Sequence, residues 1–158
     1  MPDIFTATAR TIFDEAVADM SSAIEGASPE ALNWKPGGED TNSIAVLAVH
    51  SMHSTRSWFS VALGLPLPDR DRDSEFLATT PDASSLLGFL ASMQDDCRQL
   101  LAQGAVEDWS VMRETHARPN ADAEKGTPAA WALLHALEHL REHAGQMLLT
   151  RQLWNRRS

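Results

Sequence analysis

The sequence predicts an all-α protein, a four-helix bundle made by the whole chain as one domain (1–158). Four segments of about 20 residues repeat apolar positions every three or four residues, which is the period of an amphipathic helix. No segment alternates apolar and polar residues with an enrichment in β-branched side chains, as a strand does. The length of 158 residues fits one domain, and the composition of 43% hydrophobic and 22% charged residues is typical of a globular protein.

The first two helices are predicted from their periodicity and their start signals. The first covers residues 3–24, with Asp3 as a candidate N-cap, and a glycine and a proline follow its end. The second covers residues 43–63, with Asn42 or Ser43 as its cap, and ends before a glycine and two prolines. Each helix has one apolar face, as a helix packed in a bundle requires.

The third helix is predicted over residues 81–101, where Thr80 and Pro81 resemble a cap followed by a proline in the first turn. A stretch of alternating charge, residues 69–73, precedes it. Alternating charges of this kind are typical of a solvated linker. The connection between the second and third helices is therefore expected to lie on the surface.

The fourth helix is predicted over residues 127–154, again with a threonine and a proline, Thr127 and Pro128, at its start. The preceding loop, residues 103–126, is long for a compact domain. Loops of this length often act as lids or are partly disordered.

Charge and composition exclude several classes of function. A net charge of −9 disfavours binding to nucleic acid or to a membrane surface, since both depend on basic side chains. No uncharged apolar run approaches the roughly 18 residues of a membrane span, and the N-terminus lacks a secretory signal pattern. A single cysteine excludes an internal disulfide. We expect a cytoplasmic protein with no nucleic-acid or membrane partner.

Five of the six histidines lie in the second and fourth predicted helices. At 100° per residue, His139 and His143 lie within or beside the apolar face of the fourth helix, one turn apart. His50 borders the apolar face of the second helix. His53 and His135 point further from these faces. Because bundles build their sites from facing helices, His50, His139 and His143 are the side chains expected to converge.

Three converging imidazoles can bind a divalent metal ion such as zinc, nickel, copper or iron. Three protein ligands leave one coordination position open, as in catalytic rather than structural zinc sites. The alternative is that these histidines are structural, since two histidines four residues apart are common by chance. The position of His50 on a second helix favours the metal site.

Two stretches of the chain resemble the DinB-like (DinB/YfiT-like) superfamily of metal-dependent enzymes. The first contains NWKP at residues 33–36, NSIA at 42–45 and then His50. The second is HALEHLREHAGQ at residues 135–146, where two histidines four apart precede a glycine and a glutamine. The two stretches occur in the family's order, so the likeness spans the whole four-helix plan.

The resemblance implies up-down-down-up connectivity, with the long crossover between the second and third helices. It implies that His50, His139 and His143 are the metal ligands, while His53 and His135 remain alternative ligands. It also implies a homodimer. Some relatives transfer or isomerise small molecules with mycothiol or bacillithiol, and many have no known activity.

The function expected from these features is that of a metal-dependent transferase that uses a low-molecular-weight thiol on a small-molecule substrate. Zinc or nickel is the favoured metal, with iron or manganese as alternatives. A metal-dependent hydrolase is the first alternative function. A stress protein that binds metal or small molecules without catalysis is the second.

Several further side chains carry weaker expectations. Cys97 lies on the apolar face of the third helix and is expected to be buried and structural. His116 is expected to be an exposed loop residue rather than part of a lid. Trp58, two turns after His50, is a candidate for lining a pocket. Gly145 is a candidate for close helix packing, and Gln146 for orienting a ligand.

Overall fold

The computed structural model describes residues 3–103, 106–115 and 126–157, and four long helices make up most of them. Short elements lie between the long helices, including a single 3₁₀ turn at Gly38–Asp40 and a two-stranded sheet. None of the helices in the described residues combines the length and apolar character that crossing a membrane requires. In chain order the elements are α1 (Ile4–Ile24), α2 (Pro29–Asn33), α3 (Ile44–Leu63), α4 (Arg72–Glu75), α5 (Ala83–Gln103), β1 (Met112–Arg113), β2 (Thr127–Pro128) and α6 (Ala129–Asn155).

The first two long helices begin where the capping residues predict. The Asp3 side chain accepts hydrogen bonds from the backbone N–H groups of Phe5 and Thr6, at the start of α1. The Ser43 hydroxyl accepts from the backbone N–H of Val46, at the start of α3. Each cap gives a partner to N–H groups that have none within the helix.

The other two predicted caps are wrong. Asp82 caps α5, since its Oδ1 accepts from the Ser85 N–H at 2.7 Å, while Thr80 donates its hydroxyl to the Asp82 carbonyl. Thr127 belongs to β2, which pairs antiparallel with β1.

The turn into β2 requires a glycine. Gly126 has a φ of +64°, and a Cβ at this position would lie 2.8 Å from the backbone oxygen of Arg113. A residue with a side chain would be strained at this φ and would also collide with β1. The pairing of the two strands, rather than a threonine cap, therefore decides where α6 begins.

Contacts along α1 and α6 show that these two helices run in the same direction. Arg141 of α6 donates to Asp19 of α1 at 2.9 Å. Further along α6, Arg151 donates to the carbonyl of Gly26, just beyond the end of α1, at 3.2 Å. Residue numbers increase in the same direction along both contacts, so α1 and α6 are parallel neighbours.

Helix α3 packs against α6 in the opposite direction. The ring of His50 lies 5.4 Å from that of His143, whereas the ring of Trp58, later in α3, lies 5.5 Å from that of Trp131, earlier in α6. Among the described elements, α3 and α6 share the most extensive interface. It is also the interface that holds the predicted histidines.

Helices α3 and α5 are parallel neighbours. His53 lies against Phe89, and Arg56 pairs with Asp96 one to two turns further along both helices. Residues 64–82 must therefore return across the length of the bundle. The result is a four-helix bundle of up-down-down-up connectivity with its crossover between the second and third long helices, as predicted.

The core lies between the four long helices and is mostly apolar. Phe13 of α1 and Phe59 of α3 meet edge to face, with 5.6 Å between ring centroids, and both are fully buried. Cys97 of α5 is also fully buried, and this burial raises the pKa of its thiol to about 12. The expectation of a buried, unreactive cysteine is confirmed.

Candidate metal centre

The structure brings the three predicted histidines together. His50 extends from α3, and His139 and His143 extend from α6, so that one nitrogen from each ring lies within 4.8 Å of the other two. The ring centroids are 5.2 Å apart for His50 and His139, and 4.4 Å apart for His139 and His143. The predicted convergence of these three side chains is confirmed.

His139 and His143 face each other through their outer nitrogens. The two Nε2 atoms are 3.2 Å apart, because residues four apart on α6 lie one above the other on the same face. The Nδ1 atom of His139 is buried and has no hydrogen-bond partner within the described part of the chain. A buried ring nitrogen without a partner is costly, and His139 lacks the contact at its second nitrogen that metal-ligating histidines usually have.

The orientation of His143 is set by a glutamine and a glutamate of the same helix. Gln146 Nε2 donates to the Glu142 carboxylate at 3.3 Å, and this turns Gln146 Oε1 toward His143 Nδ1 at 2.8 Å. Because an amide oxygen only accepts, the hydrogen of His143 lies on Nδ1. Its Nε2 lone pair then faces His139. The prediction that Gln146 has an orienting role agrees with this contact.

His50 is contacted by residues that the sequence analysis did not select. Its Nδ1 lies 2.9 Å from Glu75 Oε2, and both side chains are buried. Arg70 donates to both oxygens of Glu75, at 2.6 and 2.8 Å. The ring of Phe76 lies over the His50 ring, with 4.6 Å between centroids.

The prediction of a solvated linker over residues 69–73 is therefore wrong for Arg70. The guanidinium turns inward to Glu75, and the crossover covers one side of the histidine cluster. The local signal is the aromatic Phe76, directly after the polar residues 69–75. A separation of 25 residues between His50 and Glu75 hides the contact from helical periodicity.

Burial and neighbouring charge decide the protonation states of the site. Burial lowers the pKa of His50, and the hydrogen bond and charge of Glu75 only partly offset this. Burial, together with the neighbouring rings of His143 and His50, lowers the pKa of His139 to about 3. Burial alone would raise the pKa of Glu75, but the hydrogen bonds from Arg70 and His50 hold it below its usual value. At neutral pH, His50 and His139 are thus neutral and Glu75 is ionised.

His53 and His135, the alternative ligands, do not join the cluster. His53 packs against Phe89 and lines a groove of about 270 Å³ together with Val49 and residues of the crossover that include Arg70 and Glu75. His135 stacks on Trp131 at 4.6 Å, and its ring is 6.0 Å from that of His139.

Two tryptophans extend the site toward the start of α6. Trp58 meets the rings of both His135 and Trp131 edge to face, at 4.9 and 5.5 Å. Trp131 is 49% exposed, so this aromatic group reaches the surface beside His135. That Trp58 lines a pocket near the histidines stays a prediction, since its observed contacts are with the rings of His135 and Trp131.

The expectations for Gly145 and His116 are not confirmed. Gly145 does not mediate close helix packing, since a Cβ placed there would have nothing within 4 Å in the described structure. His116 lies outside the described residues.

An all-α bundle with three histidines converging from two of its helices defines the class of helical-bundle proteins with a candidate metal centre. The chain belongs to the DinB superfamily, whose family model matches residues 12–147. The family resemblance that the sequence shows at residues 33–50 and 135–146 is therefore confirmed.

One solved structure shows the same fold. The crystal structure of a conserved protein from Enterococcus faecalis aligns with a TM-score of 0.71 and 18% identity, covering 94% of this chain and 95% of that one. At this identity the likeness concerns the fold alone. A comparison with curated proteins gives no significant match.

Proposed function

We propose that the protein binds a divalent cation through His50, His139 and His143 and uses it in the chemistry of a small-molecule substrate. The observation that carries this proposal is the placement of one nitrogen from each ring within 4.8 Å of the others, inside a bundle. Zinc or nickel is the favoured ion, since imidazole suits both. Iron and manganese are the alternatives.

The donor set fits such an ion in two respects. Two nitrogens that each lie about 2.0–2.1 Å from one tetrahedral cation are about 3.3 Å apart, and the Nε2 atoms of His139 and His143 are 3.2 Å apart. The hydrogen bonds of His50 and His143 engage their Nδ1 atoms and leave Nε2 free. Metal-ligating histidines usually have their second nitrogen bound in this manner.

A cation held by three imidazoles keeps a position for a reactant and lowers the pKa of a thiol or water bound there. The residues of the chain keep the ligands available and position the substrate. The histidines stay neutral and available as ligands because burial opposes the protonation of His50 and His139. Trp58, Trp131 and His135 form an aromatic wall that would position an apolar or planar part of the substrate.

Transfer that involves a low-molecular-weight thiol is the reaction we propose, because related bundle proteins use such thiols. The thiol must come from outside the chain. The single cysteine, Cys97, is fully buried and has a pKa raised to about 12, so it supplies no thiolate at neutral pH. A cytoplasmic location, where small thiols are kept reduced, belongs to the same proposal.

The first experiment is metal analysis of the purified protein. We expect close to one divalent ion per chain in the wild type and little or none in His139→Ala. His53→Ala is the matched control, since His53 lies on the same helix as His50 but outside the cluster. Equal metal content in the wild type and His139→Ala would contradict the metal site.

The second experiment separates the candidate reactions. The metal-loaded protein is incubated with mycothiol, bacillithiol or glutathione and a set of electrophiles, and loss of free thiol is followed. Thiol consumption that His139→Ala lacks would support transfer. No consumption with any thiol would contradict it and would favour hydrolysis or binding without catalysis. Light scattering of the same sample tests the proposed homodimer.

A further inference from the structure

The crossover between α3 and α5 contributes a buried side chain to the histidine cluster. We propose that Glu75, held by Arg70, is a positioning residue that fixes the orientation and tautomer of His50 and thereby determines how tightly the cluster retains its cation. This inference rests on the proposed function and assigns a role to a segment that the sequence presents as linker.

The hydrogen bonds of Glu75 determine which nitrogen of His50 faces the cluster. A carboxylate accepts and cannot donate, so the 2.9 Å contact places the hydrogen of His50 on Nδ1. The lone pair is then on Nε2, the atom that remains to face His139 and His143. The other tautomer would direct an N–H group toward the two rings and remove the third ligand.

Arg70 fixes Glu75 in turn. It donates through Nε to Oε1 and through Nη2 to Oε2, so both oxygens of Glu75 are held in one plane. The side chain of Glu75 is only 4% exposed, and that of Arg70 is 20% exposed. The pair is therefore largely shielded from water, and its geometry is rigid.

A comparison with another ion pair argues against a merely structural role. Asp14 of α1 and Arg98 of α5 also join two segments, but their side chains are 30% and 36% exposed, and neither contacts a histidine of the cluster. Glu75 lies deeper and uses one oxygen for His50. Phe76, the next residue, covers the His50 ring, so the segment contacts this ligand twice.

The substitutions follow from this chemistry. Glu75→Gln keeps the size of the side chain but provides only one accepting oxygen, whereas Glu75 uses both. The glutamine NH₂ group would then face an N–H donor of either Arg70 or His50. Arg70→Met keeps the Glu75 carboxylate and removes only the two hydrogen bonds that Arg70 donates to it. Arg98→Met is the matched control, since it removes an arginine from an ion pair that contacts none of the three histidines.

Two measurements test the proposal on the full chain. Long-range ¹H–¹⁵N spectra of the metal-free protein report the tautomer of His50, and competition with a chromogenic chelator reports the affinity for Zn²⁺. We expect the Nδ1–H tautomer in the wild type and in Arg98→Met, and its loss or mixing in Glu75→Gln. Zn²⁺ affinity should fall by about 10- to 100-fold in Glu75→Gln, and by less in Arg70→Met.

Each outcome bears on the proposal. Unchanged tautomer and unchanged Zn²⁺ affinity in both crossover variants would overturn the positioning role and would leave the metal site supported. A wild type that binds no Zn²⁺ but keeps a single His50 tautomer, lost in Glu75→Gln, would contradict the metal site and support the positioning of the ring. If Glu75→Gln fails to fold, Arg70→Met carries the same test.

Discussion

The two helices that supply the histidines support their ligands differently. On the α3 side, His50 is 7% exposed and is held by the buried Glu75 of the crossover. On the α6 side, His143 is held by Gln146 and Glu142, both exposed and both on the same helix. The same chemical task, fixing an Nδ1–H group, is carried out by long-range contacts on one side and by local contacts on the other.

The difference follows from where each helix lies. Helix α3 is buried over most of its surface, and the side chain that holds His50 comes from another segment of the chain. The outer face of α6 is open to solvent, where side chains three and four residues apart can bond to one another. Buried support is rigid and costly to remove, whereas exposed support is exchangeable with water.

The largest effect is expected from removing the buried support. Glu75→Ala leaves the partly buried Arg70 charge and the Nδ1–H of His50 without their partner, and we expect a loss of about 3 kcal/mol in the free energy of unfolding. Urea denaturation of the metal-free protein measures this loss.

The control is the matching truncation to alanine of the residue that holds His143 on the α6 side. Gln146→Ala removes an exposed contact that water can replace, so its effect should stay within about 0.5 kcal/mol. Similar losses for the two variants would contradict the distinction between buried and exposed support.

This contrast also explains how much the sequence could reveal. Periodicity predicted the four long helices to within about two residues, since it records which positions face the core. It also predicted the histidine cluster, because His139 and His143 share a face of one helix and His50 borders the apolar face of another. Each of these predictions depends on the spacing of residues within one helix.

Apart from the cap at Thr80, where Asp82 two residues later takes that role, the predictions that were wrong concern contacts between segments. Glu75 reaches His50 only because the crossover folds back over α3, and charge alternation at Arg70 does not encode that path. Thr127 was predicted to be a cap, but it pairs with Arg113, 14 positions earlier, in a sheet too short to show strand alternation. Gln146, by contrast, could be selected because it lies three residues from its partner on one helix.

The second effect is the loss of stability against unfolding at acidic pH. The pKa of His139 is lowered to about 3 in the folded protein, whereas an unfolded histidine titrates near 6.5. Between these values the unfolded state binds more protons, so stability falls as the pH decreases from about 6.5 toward 3. The stability is fully present above pH 6.5. Urea midpoints of the metal-free protein at pH 7 and pH 5 should show this decrease.

The control for this effect is His139→Gln, which cannot take up a proton in this range. Its midpoint should decrease less between pH 7 and pH 5 than that of the wild type, whatever its stability at pH 7. An equal decrease in the two proteins would show that protonation of His139 is not linked to unfolding. The effect would then have to come from other groups.

The smallest effect, and the only stabilising one, is expected on the open face of α6. Gly145 lies in the interior of the helix, beside Gln146, and a Cβ there would meet no atom within 4 Å in the described structure. Gly145→Ala should therefore raise the free energy of unfolding by about 0.4–1 kcal/mol, because alanine restricts the unfolded chain and favours the helix. Thermal unfolding measures the change, and the zinc affinity should stay unchanged. A destabilised variant would indicate that this face is covered in solution, for example by a second copy of the chain, and the α6 side of the site would then be less open than its contacts indicate.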